Sequence, residues 1–437
     1  MSAIRDLAAF VCGASVASLP EAERAIQRRH VADTLLAATV GAGTSEGRGL
    51  RGVLPKNCVA DLVGLQAAVI RHTEIDDIHT PSCTTPSSVT VPVALGLGHA
   101  NEQYDPERVA SAIWVGTELL VRLGLAIDGA RILYRGIWPT YFAAPLGAAA
   151  VAARMNGLSE EKTAHALSLA LMLTAGRSGR FAGRLPGRSV LLGMAVSAGM
   201  RAVEAAELGV GGDPDLLSGN WLREAHGIDA EHSRLTSGLG QGSIYPQLSL
   251  KPFCSAKQAI AATQALSTLI DEGLRPEAIA NVTVRVPPAY ARMISTKPEA
   301  GSRSSMIVSA AYQLGLAATG RDRLYDIERA DVIAEALVFA GKVSVVPDEN
   351  LLAGFPACFP AEIEVSAGDQ TLRRRVTAAL GDPSHPLDDD ALKQKAERVF
   401  EQAGSAQSGS KLIALGLNGL NDRASCKAMV AVARVEA

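Results

Sequence analysis

The hydrophobic pattern of this chain changes period once, near Asp271. Before it, Ala22–Val40, Pro106–Ile127 and Leu191–Leu208 carry apolar residues at helical spacing. After it, Ala280–Pro287 (ANVTVRVP) alternates apolar and polar residues, the mark of a half-buried strand. Such a chain is expected to build one core by packing helix on helix and a second on a sheet. Aromatic residues are only 4% of the sequence, so the helical core must be made of Ala, Leu, Val and Ile.

Local signals fill in this outline. Gly147–Met155 and Glu160–Thr174 read as a helical hairpin. Asn156-Gly157 closes its first helix, Ser159 caps the second, and Glu160 and Glu161 favour that N-terminus. Gly193, Ala195 and Gly199 allow the Leu191–Leu208 helix to approach a neighbour closely. Lys342–Pro347 and Ala361–Ser366 are two more strands, and Ala367-Gly-Asp-Gln370 turns into a partner at Thr371–Ala379. Helices are expected between the strands at Ser305–Thr319 and Ala330–Leu337, and again over Asp388–Phe400 and Asp422–Val435. The fold class is therefore mainly α. A large all-helical domain over residues 1–265 is completed by residues 388–437, and a smaller α+β domain spans 271–383.

With 437 residues, 48% hydrophobic and 20% charged, the chain is long and apolar enough for large cores. A formal charge of −3 and the lack of a basic tract argue against nucleic acid as a partner. No apolar run reaches the roughly 18–20 residues of a membrane span. Leu7–Ala17 faintly resembles a signal core, but Arg5 and Asp6 cancel before it, so it is read as an ordinary helix. The six cysteines are scattered without a CxxC pair. That points to reduced thiols and a cytoplasmic protein, and away from a cysteine zinc site.

The chemistry concentrates in His72–Ser88, HTEIDDIHTPSCTTPSS. Glu74, Asp76 and Asp77 stand with His72 and His79 in eight residues, a cluster that a packed helical protein keeps for binding or reaction. On a continuous helix His72, Asp76 and His79 would share a face and could hold a metal, although Pro81 and Pro86 disfavour regular structure there. Gly43-Thr-Ser-Glu-Gly47 matches a nucleophile elbow but follows a helix, and Gly209-Val-Gly-Gly212 likewise lacks the strand a dinucleotide loop needs. Arg177, Arg180, Arg184 and Arg188 punctuate a glycine-rich stretch, where arginine forks suit carboxylates. Lys251 lies just before the change of period, where it can reach a cleft between domains.

These pieces, in this order, resemble the MmgE/PrpD family, whose activities include 2-methylcitrate dehydratase, cis-aconitate decarboxylase and iminodisuccinate epimerase. The resemblance is carried by Glu74-Ile-Asp-Asp-Ile-His79 with Thr85-Pro-Ser-Ser88, by Arg135-Gly-Ile-Trp-Pro-Thr140, and by Arg188 through Gly199. Leu250-Lys-Pro-Phe253, Ser309-Ala-Ala-Tyr312 and Gly381-Asp-Pro383 with Pro386-Leu387 complete the set. It implies a helical domain with an α+β lid, a homodimer, no metal and no organic cofactor. It also implies a small carboxylate substrate and neither nucleic acid nor membrane as partner. The chain departs from the family pattern at four places. Glu74-Ile-Asp-Asp77 stands where the family usually has DFDD, Thr85 and Trp138 replace histidines, and Arg188 replaces a lysine.

The resulting catalytic candidates are His79, Asp76, Asp77, Lys251, Tyr141 and Tyr312. The substrate-binding candidates are Glu74, Thr85, Ser87, Trp138, Arg184, Arg188 and Lys257. The expected reaction removes a proton α to a carboxylate, with His79, Asp76 or Lys251 as base and Tyr141 or Tyr312 as acid. The leading reading is a lyase of dehydratase or decarboxylase type, in which loss of a β-hydroxyl gives the dehydratase. Return of the proton to the other face would make it an epimerase. A carboxylate binder without turnover and a metal-dependent hydrolase on His72, Asp76 and His79 are the remaining alternatives.

Overall fold

Glycines set how closely the main helices meet. In the computed structural model, which describes residues 2–176 and 187–432, the Gly187–Glu207 helix packs on Val59–His72 and on Pro139–Asn156. A Cβ at Gly199 would lie 2.3 Å from the Pro145 carbonyl oxygen, so only glycine permits that approach. The surrounding core is aliphatic, as the composition requires, and runs from Ile4 to Leu235. Leu392, Val399, Phe400, Ile413 and Met429 join the same core, so the C-terminal helices complete the helical part.

The second core lies on a mixed four-stranded sheet. Its strands are β1 (Ile279–Val286), β2 (Val343–Pro347), β3 (Ala361–Ala367) and β4 (Gln370–Val376), in the order β2-β1-β3-β4. β1 runs parallel to β2 and antiparallel to β3, and β3 runs antiparallel to β4. Alternation works as expected: Val282, Val284 and Val286 of β1 and Ile363 and Val365 of β3 are buried with Ile260 and Leu266 of the Lys257–Asp271 helix. The fold is thus mainly α with a small α+β part.

Several elements differ from the sequence reading for identifiable reasons. The helix expected over Ser305–Thr319 is two, Arg303–Val308 and Ala310–Thr319, because Ser309 leaves helical geometry. Its hydroxyl caps the second by accepting from the Tyr312 amide. The helix expected at Ala330–Leu337 is Ala334–Ala340. Arg329, with φ +47, ties its side chain to the Asp326 and Cys254 carbonyls and holds the preceding residues out of helix. The helix of the hairpin begins at Pro139 and runs through Pro145. Gly409–Asn418 is a further helix, against Glu21–Ala42, that the periodicity did not reveal.

Two helices, Pro106–Ala126 and Gly187–Glu207, do have the length and hydropathy of a membrane span, contrary to the expectation of none. Their apolar windows are 89% and 61% buried within the protein. The Ala3–Gly13 helix likewise buries Ile4, Leu7, Ala8 and Val11 in the helical core. All six cysteines are free.

Candidate active site

The Val59–His72 helix stops at His72, and Thr73 caps it with its amide on the Ile70 carbonyl. Beyond it the chain turns sharply, and Glu74 takes the left-handed conformation at φ +60, which is costly for a residue other than glycine and is held by its surroundings. Ile78 and Ser249 then exchange both backbone hydrogen bonds, at 2.9 and 2.8 Å. This fastens the acidic segment to the segment that carries Lys251. Leu250 donates in turn to the Gly381 carbonyl, and a Cβ at Gly381 (φ +90) would strike the Leu250 oxygen. From the far end of the chain, Lys395 donates to the Ile75 carbonyl at 2.9 Å and pairs with Asp33 at 2.6 Å.

Lys251 is 2% exposed. Its Nζ lies 2.8 Å from Glu74 Oε2, 3.5 Å from Asp76 Oδ1 and 3.3 Å from the Glu74 carbonyl oxygen. Arg71 reaches the same acids, 3.0 Å from Glu74 Oε1 and 3.1 Å from Asp76 Oδ1. Two cations thus share two carboxylates in a buried cluster. Burial disfavours the charged Glu74, but the Arg71 and Lys251 charges outweigh it and hold the carboxyl well below its ordinary range. At Asp76 burial wins, helped by the charges of Glu74 and Asp77, and the carboxyl is pushed up to about 6. Burial also opposes the charge on Lys251, yet Glu74 and Asp76 keep it firmly protonated.

Beside this cluster lies a small chamber of about 60 Å³ between the two cores. Arg71, Glu74, Lys251, Tyr141, Trp138 and Arg188 form its working wall, and Thr85, Cys83, Lys257 and Gln258 complete it. Met293 and Val308 close it from the α+β side. The Arg188 guanidinium lies 4.0 Å over the Trp138 ring, and Trp138 stacks on Tyr141 at 6.0 Å. Thr140 Oγ1 accepts the Thr85 amide at 3.0 Å, which fixes Thr85 beside them. Lys257 is held by Asp382; burial drives its amine down, with Asp382 opposing. Cys83 is a neutral thiol, pushed up to about 12 by burial. Arg71, Glu74, Tyr141, Arg188 and Val308 also border a second, outer cavity of about 770 Å³.

The geometry therefore gathers Glu74, Thr85, Trp138, Tyr141, Arg188, Lys251 and Lys257 around one space, with Asp76 directly behind. Other candidates lie elsewhere. Asp77 accepts from Ser87 and pairs with His30 at 2.9 Å, so Asp77 and Ser87 brace the start of the Ser87–Ala100 helix. His79 packs its Nδ1 on Ser82 Oγ at 2.8 Å, outside the chamber lining. Burial, against a Gln247 hydrogen bond and the Asp77 charge, takes its imidazole down to about 4, so the ring is uncharged at neutral pH.

Tyr312 is in the α+β core, where its hydroxyl accepts the Ile333 amide at 3.0 Å. Arg184 lies outside the described residues. The helix face proposed for His72, Asp76 and His79 does not exist, because the helix ends at His72. Among the described residues no three His, Cys, Asp or Glu side chains come together as a metal-ligand set. Arg71 was missed by the sequence reading. Its signal was a basic residue in a helix's last turn, three and five places before acids.

The MmgE/PrpD N-terminal domain model matches residues 63–229 and the MmgE/PrpD C-terminal domain model matches residues 253–418. No curated protein matches the chain. The first match holds Arg71, Glu74, Trp138, Tyr141 and Arg188, and the second holds Lys257. The chain belongs to the MmgE/PrpD family, a family of dehydratase- and lyase-type enzymes.

Proposed function

We propose that this chain is a lyase that acts on a small di- or tricarboxylate by removing a proton α to a carboxylate. The observation that carries this reading is the charge of the chamber. Arg71, Arg188, Lys251 and Lys257 line it against the single carboxylate of Glu74. Counting Asp76 and Asp382 behind them leaves one positive charge uncompensated, and two when Asp76 is protonated. A buried excess of positive charge favours a compact polyanion and the additional charge of an enolate.

In this mechanism Arg188 and Lys257 hold one substrate carboxylate. Asp76, directly behind the wall and lifted by burial to about 6, takes the α proton, while Glu74, held far more acidic by Arg71 and Lys251, stays an ionised counter-charge, and the C–H electron pair moves into the adjacent carboxylate. Lys251 and Arg71 balance the charge that builds there. The electrons then return to form the C=C bond as the β C–O bond breaks, and Tyr141 delivers the proton with which hydroxide leaves as water. Lys251 serves as a fixed cation, because its acid partners keep it protonated.

A second reading, epimerisation, shares the first step and returns the proton to the opposite face. It is favoured by Thr85 and Trp138 standing in the chamber where the family resemblance leads one to expect imidazoles. Proton NMR in D2O with citrate-, malate- and aspartate-type acids tests both. New vinyl signals support the lyase. Solvent deuterium at an α carbon with an intact skeleton supports the epimerase. Binding by thermal shift without either change refutes the enzymatic reading in favour of a carboxylate binder.

A further inference from the structure

The throat formed by Arg71, Glu74, Tyr141 and Arg188 faces two ways, and the reaction above uses only the inner side. The outer cavity is far larger, about 770 Å³ against about 60 Å³, and its character is different. Leu50, Val53, Val190, Ile307 and Val308 supply apolar walls. Val53 is 70% exposed at the end of the Ser45–Val53 helix, an apolar side chain left uncovered beside the throat.

Most polar groups of this cavity already have partners within the protein. Arg303 donates to the carbonyls of His72, Thr73 and Ile327 at 2.7, 3.0 and 2.6 Å. His72 shares a 2.8 Å hydrogen bond with Thr44, and burial takes its imidazole down to about 3, so it carries no charge at neutral pH. Glu46 accepts from Ser189 at 3.1 Å, and Ser302 caps its own helix. A ligand entering this space meets aliphatic walls and mostly satisfied polar groups. One step further in it meets a surplus of cations.

We infer that the substrate carries an alkyl or acyl substituent of several carbons beside its carboxylates, with the head in the inner chamber and the substituent in the outer cavity. This rests on the carboxylate reading above and names the kind of carboxylate. A compact acid would leave the outer walls wet, whereas each methylene placed on them is removed from water.

Calorimetric titration with succinate and a 2-alkylsuccinate series from methyl to hexyl tests the inference. The dissociation constant is expected to fall about two- to fourfold for each added methylene. In Val53→Asp the slope against chain length should flatten, and reading the slope within each protein cancels any general loss of affinity. Binding of succinate with no gain along the series would overturn the inference and leave the proposed function standing. A chain-length gain that survives intact in Val53→Asp would also overturn it, by putting the substituent elsewhere. If succinate, malate, citrate and the alkylated acids all fail to bind, the carboxylate reading falls together with the inference.

Discussion

Asp76→Asn is the perturbation that isolates the chamber's response to pH. In the native protein burial lifts the Asp76 carboxyl to about 6. Below that pH it is neutral, and Arg71 and Lys251 face Glu74 alone. Above it Asp76 claims a share of both cations through its 3.1 and 3.5 Å contacts. An added negative charge roughly 6 Å from a bound carboxylate costs about 3 kcal/mol at an effective dielectric near 20, or about 100-fold in affinity. Water in the mouth reduces this, and pH 7.5 lies only about 1.5 units above the Asp76 value, so the expected loss for succinate between pH 5 and pH 7.5 is about 5- to 20-fold.

The sign follows from linkage. A bound anion favours the neutral acid and raises the Asp76 pKa further, so binding takes up a proton near pH 6.5. Titrations in two buffers of different ionisation enthalpy measure that uptake directly. Asp76→Asn retains the ligand's own titration and loses the protein's, so the difference between the two pH profiles belongs to Asp76. Superimposable profiles, or protons released on binding, would refute the reasoning.

Lys395→Met strands the buried Asp33 carboxylate and should cost about 3–5 kcal/mol in urea melts, with most of it recovered in Asp33→Asn/Lys395→Met. Gly199→Ala forces a Cβ against the Pro145 carbonyl and should lower stability by about 1–3 kcal/mol. Gly52→Ala, on the open side of a helix, should raise it by about 0.5–1 kcal/mol, and thermal melts of the pair check both signs. Arg188→Lys keeps the charge but loses the planar stack on Trp138, and calorimetry should show ligand binding weakened by about 5- to 20-fold.

The sequence disclosed most where one local rule decides the outcome. Ser159 does cap its helix, Gly157 does close the one before it at φ +70, and the β1 alternation does set which valines are buried. It disclosed less where distant residues decide. Asp77 and His79 look as reactive as Asp76 in the one-dimensional string. Only the fold shows that His30 and Ser87 occupy the first and that Ser82 and burial quiet the second. Tyr312 is placed away from the chamber for a similar reason, since nothing local reports that its hydroxyl accepts the Ile333 amide. Arg71 was overlooked because a basic residue in a helix's last turn ordinarily needs no further explanation.

Lys395 reaches back 320 residues to grip the Ile75 carbonyl, between the two acids that meet Arg71 and Lys251. During synthesis, therefore, the acidic turn emerges long before its last clamp exists. The nascent chain can form its early helices, but the turn remains unfastened until the Asp389–Gln402 helix has left the ribosome and docked. The binding chamber is in this sense dated by its latest part, and a chain that stops short of that helix carries nearly every residue of the site without the clamp that fixes its shape.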